Sequence, residues 1–353
     1  MSALGATDVI VVGGGIIGGS IAWRLAQAGA AVTLLDAGVL GSEASWAGAG
    51  MLAPGGEFVS RNRWAGFALE SRAMYPAFVA ELEGETGVGI DYRRCGAMEI
   101  ARTEAEWQDL LARRTAQAEL GIRAEVTVGG LYYPDDALVD PRDVTRALRC
   151  ACDQREVGIR EHTRVLAVRV TAGRADVETS GGLLSGSAVV LAAGAWSGAI
   201  PVFGDDGPIA IPATFPVRGH LLGYALEPGS VGPILRHGHT YVMQRSSGFT
   251  IAGTSSEQVG FIRELSEQVG FIRELDPQIV DDIHARAAEL LPRLRSAQKP
   301  TAWLGFRPAT EDFAPAIGRL GDTCLWLAYG HYRNGILLAP ATAARVAEQM
   351  ATL

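Results

Sequence analysis

The first forty residues carry a pattern of apolar runs and glycines that predicts a strand, a helix and a second strand. The β-branched run DVIVV (residues 8–12) leads into a glycine cluster, and Ile21, Leu25 and Ala28 follow at helical spacing. A second apolar run, AAVTLLD (residues 30–36), comes directly afterwards. Because a strand–helix–strand unit of this length places its strands side by side in one direction, we predict a parallel sheet.

Two kinds of strand follow further along the chain. The runs SAVVLAAGAW (187–196) and CLWLAYG (324–330) are apolar throughout and reach a glycine, as strands buried on both faces do. By contrast, HLLGYAL (220–226), HTYVMQR (239–245) and FTIAGT (249–254) suit an antiparallel sheet. We therefore predict an α/β fold in which a Rossmann-type parallel-sheet domain is interleaved with an antiparallel-sheet domain.

The limits of the two domains follow from the character of these strands, because no low-complexity linker separates them. The parallel-sheet domain is predicted to comprise residues 1–85, 140–210 and 303–353. The antiparallel-sheet domain is predicted to comprise residues 86–139 and 211–302.

A decamer is repeated without change, since SEQVGFIREL occupies Ser256–Leu265 and again Ser266–Leu275. Folds built from stacked repeats need at least three units, so the duplication does not indicate one. In a helix, at about 100° per residue, the second copy would be rotated by roughly 80° from the first, and one apolar stripe could not serve both. We predict an enlarged surface loop or hairpin.

Composition excludes several classes of function. The formal net charge is −8 and no basic block occurs, whereas nucleic-acid-binding proteins are usually basic. Lys299 is the only lysine among 31 basic residues, and SAQKPT around it is no phosphate-binding GxxxxGK loop.

The four cysteines form no CxxC pair, as expected for a protein in a reduced compartment. Without a basic leader or a spanning segment at the N-terminus, we expect a cytoplasmic protein with no nucleic-acid or membrane partner.

The strongest motif is G-x-G-x-x-G, formed by Gly13, Gly15 and Gly18 at the predicted strand-to-helix turn. The first two glycines let the backbone approach a pyrophosphate, and the third lets the helix pack close to the sheet. Asp36 ends the second strand, where a carboxylate accepts hydrogen bonds from an adenosine ribose and repels a 2′-phosphate. The motif predicts FAD or NAD rather than NADP, and a merely structural glycine turn is the alternative.

Metal and hydrolase chemistry lack support. His237 and His239 form H-x-H, but no acidic or cysteine partner stands at ligand spacing around them, so we predict no metal site. Neither GxSxG nor HExxH occurs.

Six segments stand out along the chain for their unusual sequence. In chain order they are the glycine fingerprint, ASWAGAGMLAP (44–54), VVLAAGAWSG (189–198), PVRG (216–219), GFRPAT (305–310) and GHYRNGILLAPAT (330–342). Together they closely resemble the D-amino-acid oxidase family of flavoproteins, and within it the bacterial glycine-oxidising branch that serves thiazole synthesis. The resemblance covers nearly the whole chain, and GHYRNGILLAPAT is its most specific motif. Departures are the duplicated decamer and Asp36, where many members have Glu.

The resemblance implies non-covalent FAD in the parallel-sheet domain and the substrate in the antiparallel-sheet domain. Val165 would contact the adenine through its backbone, Met51 would lie against the flavin, and the helix that begins near Gly335 would stabilise negative charge on the reduced flavin. The residues implied to bind FAD are Gly13, Gly15, Gly18, Asp36, Ser45, Gly48, Gly50, Met51, Val165, Gly194, Gly330, Asn334, Gly335 and Ile336.

For the substrate, the resemblance implies that Arg307 and Tyr241 hold a carboxylate, with Arg333 assisting and His239 beside them. A guanidinium grips a carboxylate through two parallel hydrogen bonds, which suits this role. From the residues alone, a surface ion pair for each Arg and a packing role for the Tyr remain open.

The implied reaction is oxidative deamination of glycine or another small amine, with hydride transfer to the flavin and reduction of O2 to H2O2. No general base is expected beyond the neutral amine, in keeping with the absence of an obvious Asp or Glu near the candidate residues. The implied partners are a small amino acid, O2 and further copies of the chain. The alternatives are a sarcosine or D-amino-acid oxidase, a dehydrogenase that reduces a membrane quinone, and a non-catalytic FAD-binding subunit.

Overall fold

The computed structural model describes residues 8–59, 63–258, 271–298 and 300–351. Strands and helices are numbered in chain order. Within the described residues the helices are α1 (Ile16–Gln27), α2 (Ala44–Ala47), α3 (Pro54–Glu57), α4 (Arg63–Thr86), α5 (Glu104–Glu119), α6 (Pro141–Gln154), α7 (Pro277–Leu290) and α8 (Gly335–Ala351). Short 3₁₀ helices lie at Gly194–Ala199, Pro292–Ser296 and Tyr332–Asn334.

A largely parallel sheet carries the N-terminal strand–helix–strand unit, as the sequence predicts. One edge strand, β22 (Ala316–Arg319), is antiparallel to its neighbour β23 (Leu325–Tyr329), and the remaining pairs of strands are parallel. The spatial order is β22 (Ala316–Arg319), β23 (Leu325–Tyr329), β13 (Ala188–Leu191), β1 (Asp8–Val12), β2 (Ala31–Leu35) and β9 (Gly158–Arg160). Helix α1 packs against α6 and α8, so the apolar strands and these helices form one continuous core.

The second large sheet is antiparallel except where β17 (Ile234–His237) lies parallel to β5 (Ala97–Ile100). The fold therefore combines a parallel and an antiparallel sheet, which confirms the prediction. Strand β21 (Thr301–Ala309) lies beside β16 (Phe215–Ala225). The order of paired strands is β20 (Glu257–Gln258), β16 (Phe215–Ala225), β19 (Phe249–Gly253), β18 (Thr240–Gln244), β17 (Ile234–His237), β5 (Ala97–Ile100), β7 (Gly130–Tyr133) and β6 (Glu125–Thr127), and β21 (Thr301–Ala309) also pairs with β16.

Two smaller sheets complete the fold. One is ordered β12 (Gly182–Gly186), β11 (Arg174–Thr179), β10 (Val165–Thr171), β14 (Val202–Gly204) and β15 (Gly207–Pro208). The other is ordered β3 (Met51–Leu52), β8 (Ala137–Val139) and β4 (Tyr92–Arg93).

The domain limits stay a prediction, and one strand crosses them. β21 runs from Thr301 to Ala309 and pairs along its whole length with β16 of the antiparallel sheet, although residue 303 was expected to open the last parallel-sheet segment. The hairpin or loop predicted for the duplicated decamer falls largely on residues 259–270, which lie outside the described residues. In the described part of the chain, no helix is long and apolar enough to cross a membrane.

Close contact between α1 and β1 depends on two glycines. Gly13 has φ of +104°, and a Cβ there would lie 2.4 Å from the Ala192 carbonyl oxygen of the neighbouring strand. A Cβ on Gly18 would lie 1.8 Å from the carbonyl oxygen of Gly13. The absence of both side chains therefore lets the helix begin directly against the strand, as the fingerprint predicts.

We expect Gly18→Ala and Gly19→Ala, adjacent positions in α1, to have opposite effects on stability. The Gly18 methyl would collide with backbone, which should cost about 2–3 kcal/mol in the free energy of unfolding. At Gly19 the nearest atoms, of Leu148, lie 3.6 Å from the added Cβ, so Ala should stabilise by roughly 0.5–1 kcal/mol. Urea unfolding with excess FAD measures both, and equal effects would contradict the close contact.

Candidate active site

A cavity of about 1480 Å³ opens at the carboxyl ends of the parallel strands. Its volume exceeds the roughly 300–1,000 Å³ of a typical small-molecule pocket, as a dinucleotide together with a substrate would require. Val12, Leu35 and Ala192 line it from the parallel sheet, and Tyr241 and Arg307 line it from the antiparallel sheet. One cavity therefore joins the predicted cofactor residues to the predicted substrate residues.

At the glycine turn, side chains from two loops hold the backbone in place. The Ile16 N–H donates to Ser45 Oγ at 2.9 Å, so Ser45 supports the start of α1. The N–H groups of Gly14 and Gly38 donate to the two oxygens of Asp36, each at 2.8 Å. Burial raises the pKa of Asp36 above its ordinary value, although both hydrogen bonds act in the opposite direction. A carboxylate with two such bonds keeps further lone pairs for a ribose.

The adenine side of the cavity forms around Asp36. The Thr163 N–H donates to the Asp36 carbonyl oxygen at 2.7 Å, and the chain then enters β10 at Val165. Thr163, Arg164 and Val165 all line the cavity. The structure thus brings Val165 beside Asp36 from a distant part of the chain.

Most of the other predicted cofactor residues also line the cavity. They include the first residues of α8, so this helix presents its N-terminus to the cavity. The residues in question are Gly13, Gly15, Ser45, Gly48, Gly50, Met51, Gly194, Asn334, Gly335 and Ile336. Gly18 and Gly330 are not part of the wall. Gly330 has φ of +80°, and a Cβ there would lie 2.6 Å from Thr310 Cγ2, so it serves the turn.

These features fit a bound dinucleotide. An added Cβ at Gly13 would collide with backbone, and one at Gly15 would lie 3.3 Å from Ser45 Oγ, so the backbone at the turn remains accessible from the cavity. The N-termini of α1 and α8 face the cavity, and the positive end of a helix dipole suits negatively charged phosphate and a reduced flavin ring. The residues present therefore match the FAD that the sequence predicts.

Arg307 is half-buried in the wall of the cavity and has hydrogen bonds but no counter-ion. Nη2 donates to Thr254 Oγ1 at 2.7 Å and Nη1 to the Ser255 carbonyl at 3.2 Å. The guanidinium lies over Gly219, where a Cβ would come within 2.4 Å of it. Burial lowers the pKa of Arg307, and in the described part of the chain no carboxylate lies within 4 Å of it. An enclosed cation of this kind favours an anionic ligand.

Tyr241 presents a neutral hydroxyl close to this cation. The ring lies over Gly253, where a Cβ would come within 2.5 Å of the Tyr241 oxygen. Burial raises the pKa of Tyr241 to about 12, against the opposing effect of Arg307. Among the described residues its hydroxyl has no hydrogen-bond partner, so Tyr241 keeps a proton to donate to a ligand.

Arg333 is bound to an acidic residue that the sequence analysis missed. Its Nε donates to Glu57 Oε2 at 2.6 Å, and the Arg333 side chain is 41% exposed. The expectation that no Asp or Glu lies near the candidate residues is therefore wrong. Glu57 ends α3, six positions after Met51 in MLAPGGE, and its charge at the end of a segment predicted to contact the flavin was the available signal.

A buried network fixes the short helix that carries Glu57. The Arg236 guanidinium lies between Glu99, at 3.0 Å, and Asp136, at 3.2 Å. It also occupies the space that a Cβ on Gly56 would need. The residues of this network are far apart in sequence, so no local pattern indicates it.

The histidines have different surroundings. His239 is exposed in the turn between β17 and β18 and lines the cavity, and among the described residues it makes no hydrogen bond to Tyr241, Arg307 or Arg333. His237 Nε2 lies 3.1 Å from Glu106 Oε1. In the parts of the chain described here, no group of three or more His, Cys, Asp or Glu residues could hold a metal ion.

His331 is a structural residue of the motif GHYRNG. It is buried, and its Nε2 lies 3.1 Å from Thr342 Oγ1 in α8. Burial lowers the pKa of His331 from its ordinary 6.5 to about 3. The imidazole is therefore neutral at physiological pH and joins the turn to the helix.

We expect His331 to make the protein acid-sensitive. The pKa of His331 is lower in the folded than in the unfolded protein. The contribution of His331 to stability is therefore complete above pH 6.5 and is lost as the pH falls towards 3. Between pH 6.5 and 5 this should amount to about 2 kcal/mol. Urea unfolding of the parent and of His331→Gln at both pH values measures the difference, and identical pH dependence in the two proteins would refute this source of acid sensitivity.

Fold and site together define a dinucleotide-binding α/β oxidoreductase with a second, antiparallel sheet. The family described as FAD dependent oxidoreductase matches residues 8–349, and the chain belongs to it. It is an enzyme that uses FAD.

The chain is also similar to individual proteins along nearly its whole length. It is 32% identical to a glycine oxidase of Geobacillus kaustophilus, over 97% of this chain and 92% of that protein. It is 34% identical to a bifunctional protein ThiO/ThiG of Synechocystis, covering 97% of this chain and 51% of that longer protein. The crystal structure of glycine oxidase from Geobacillus kaustophilus superimposes with a TM-score of 0.88 at 30% identity, covering 98% of this chain and 94% of that one.

Proposed function

We propose that this enzyme oxidatively deaminates glycine and other small amines such as sarcosine and small D-amino acids. The observation that carries the proposal is the Arg307 guanidinium, which faces the cavity, has no carboxylate partner among the described residues and stands near the neutral hydroxyl of Tyr241. A small α-amino carboxylate has the complementary charge and size. The similarity to glycine oxidases supports the same substrate class.

In the proposed reaction the protein binds and orients the substrate. Arg307 grips the carboxylate through two N–H groups, Tyr241 donates a further hydrogen bond, and Arg333 assists with its positive charge. Holding the carboxylate fixes the α-carbon, and orientation is most of what hydride transfer requires. When bound, FAD would supply the two-electron redox chemistry, with O2 proposed as the final acceptor and H2O2 as its product.

No side chain is proposed as a general base. With a pKa of about 12, Tyr241 holds its proton at neutral pH, and Glu57 is engaged by Arg333. The substrate would therefore bind as the free amine and give up its α-hydrogen as hydride to FAD. The resulting protonated imine would be hydrolysed by water to the oxo acid and ammonium. His239 lines the cavity at its exposed side and is proposed to contact incoming substrate.

Non-covalent binding of FAD is part of the proposal. None of the four cysteines lines the cavity in the described residues. Cys324 is buried next to β23 of the parallel sheet, and its Sγ lies 3.1 Å from the Arg174 carbonyl oxygen.

The similarity to proteins named ThiO/ThiG supports a role in thiazole and thiamine synthesis. A cytoplasmic homo-oligomer and the predicted domain limits are proposed on the same resemblance.

Anaerobic absorption spectroscopy tests the reaction. The purified yellow protein would be mixed in turn with glycine, sarcosine, D-alanine and D-proline, and air would then be admitted. We expect glycine to bleach the flavin spectrum and air to restore it with release of H2O2. Bleaching that air does not reverse would indicate a dehydrogenase, and a spectrum that no amine bleaches would indicate a non-catalytic subunit.

We expect Arg307→Met to impair substrate binding far more than FAD binding. Removing a cation that pairs with an enclosed carboxylate should lower kcat/KM for glycine on the order of 100-fold. Arg307→Lys, which keeps the charge but loses the paired donors, should be intermediate. Steady-state kinetics and an FAD titration measure the two effects. An equal loss in kcat/KM for glycine and in affinity for FAD would count against the assigned role.

Glu57→Gln should release Arg333 for the substrate. The pair is partly exposed, so its net strength is at most about 1 kcal/mol, and the expected gain in affinity for acetate as a competitive inhibitor is about fivefold or less. The gain should shrink as salt is added, because exposed charges are screened. Unchanged or weaker inhibition by acetate would argue that Arg333 does not reach the carboxylate.

A further inference from the structure

The end of the duplicated segment lies against the wall of the cavity. The Phe271 ring stacks on Trp196, with 4.6 Å between centroids and 9° between planes. The Phe271 ring also makes an edge-on contact with Phe306, at 5.1 Å and 74°. All three rings line the cavity, and Phe306 is fully buried. Phe271 therefore joins the loop after β13 to strand β21.

Arg273 makes a second connection on the same side. Its Nη2 lies 2.7 and 2.9 Å from the two carboxylate oxygens of Glu43, and its guanidinium lies 5.5 Å from the centre of the Phe306 ring. Glu43 immediately precedes α2, whose Ser45 supports the glycine turn. This ion pair is exposed at both ends and therefore weak, so most of the attachment comes from Phe271.

We propose that Phe271 and Arg273 form a clasp that holds FAD in its cavity. Trp196, Phe306 and Glu43 come from three separate segments that surround the cavity, and the clasp bridges them. It closes the cavity over the cofactor and slows its release. The proposal rests on the use of FAD and not on which amine is oxidised.

The clasp belongs to the second copy of the decamer. Both copies have the same residues around their phenylalanine, at Phe261 and Phe271, so local preference cannot distinguish them. What distinguishes the second copy is its place in the chain. Its end is followed at once by Asp276, whose carboxylate accepts from the Gln278 N–H at 2.9 Å and begins α7. This anchor lies five residues after Phe271.

The duplication supplies a matched pair of variants for the test. Phe271→Ala and Phe261→Ala make the same change in the same decamer and differ only in the copy. The apoprotein of each would be titrated with FAD, and quenching of flavin fluorescence would give the Kd. We expect Phe271→Ala to weaken FAD binding on the order of tenfold, as loss of a stacked aromatic pair does. Phe261→Ala should leave the Kd within about twofold of the parent, because it is Phe271, and not Phe261, that precedes the Asp276 anchor by five residues.

Two controls separate the clasp from general damage. Phe271→Tyr keeps the ring and should retain the parental Kd, and the thermal unfolding of each apoprotein shows whether the fold is intact. Equal losses in the two alanine variants, no loss in Phe271→Ala, or a loss only in the double variant would each overturn the proposal. The titration contains no amine, so a failure of the proposed substrate would leave this test unaffected.

Discussion

The close approach of α1 to β1 is the constraint on which the cofactor site depends. It exists because Gly18 has no side chain to collide with the Gly13 carbonyl oxygen. Only with that contact does the start of α1 reach the cavity, where Ser45 Oγ holds the Ile16 N–H and Asp36 holds the Gly14 N–H. The turn, the second strand and the loop after it are thus positioned by one packing contact, and Asp36 in turn positions the segment that leads to Val165.

Three arginines near the cavity show how local charge assigns different roles to one residue type. Arg236 is buried between Glu99 and Asp136, so its charge is matched and it serves the structure. Arg333 has a single, partly exposed partner, which a ligand can replace. Arg307 has only hydroxyl and carbonyl partners among the described residues. Because an enclosed charge without a counter-charge is costly, Arg307 is the one whose surroundings are completed by an anion.

The sequence predicts most of the fold and part of the site, and the difference has a physical cause. Strands of the parallel sheet are recognisable because they are buried on both faces, and the glycine turn is recognisable because its spacing reflects backbone geometry. Glu57 and Arg236 were missed because their roles arise from contacts between distant segments. The partner of Arg333 depends on where the short helix α3 rests, and that helix is positioned by Gly56 packing on Arg236. No spacing within the chain encodes such a contact.

The motif GHYRNG combines these principles in three side chains. His331 is buried and contacts Thr342 of α8, which connects the turn to the helix. Tyr332 adopts φ of +51°, a conformation uncommon for a residue with a side chain, and the 3₁₀ turn that begins there leads into α8. Arg333 follows at the cavity and reaches Glu57. A buried histidine thereby supports a strained backbone, and that backbone places a cation at the cavity while the N-terminus of α8 faces the cofactor site.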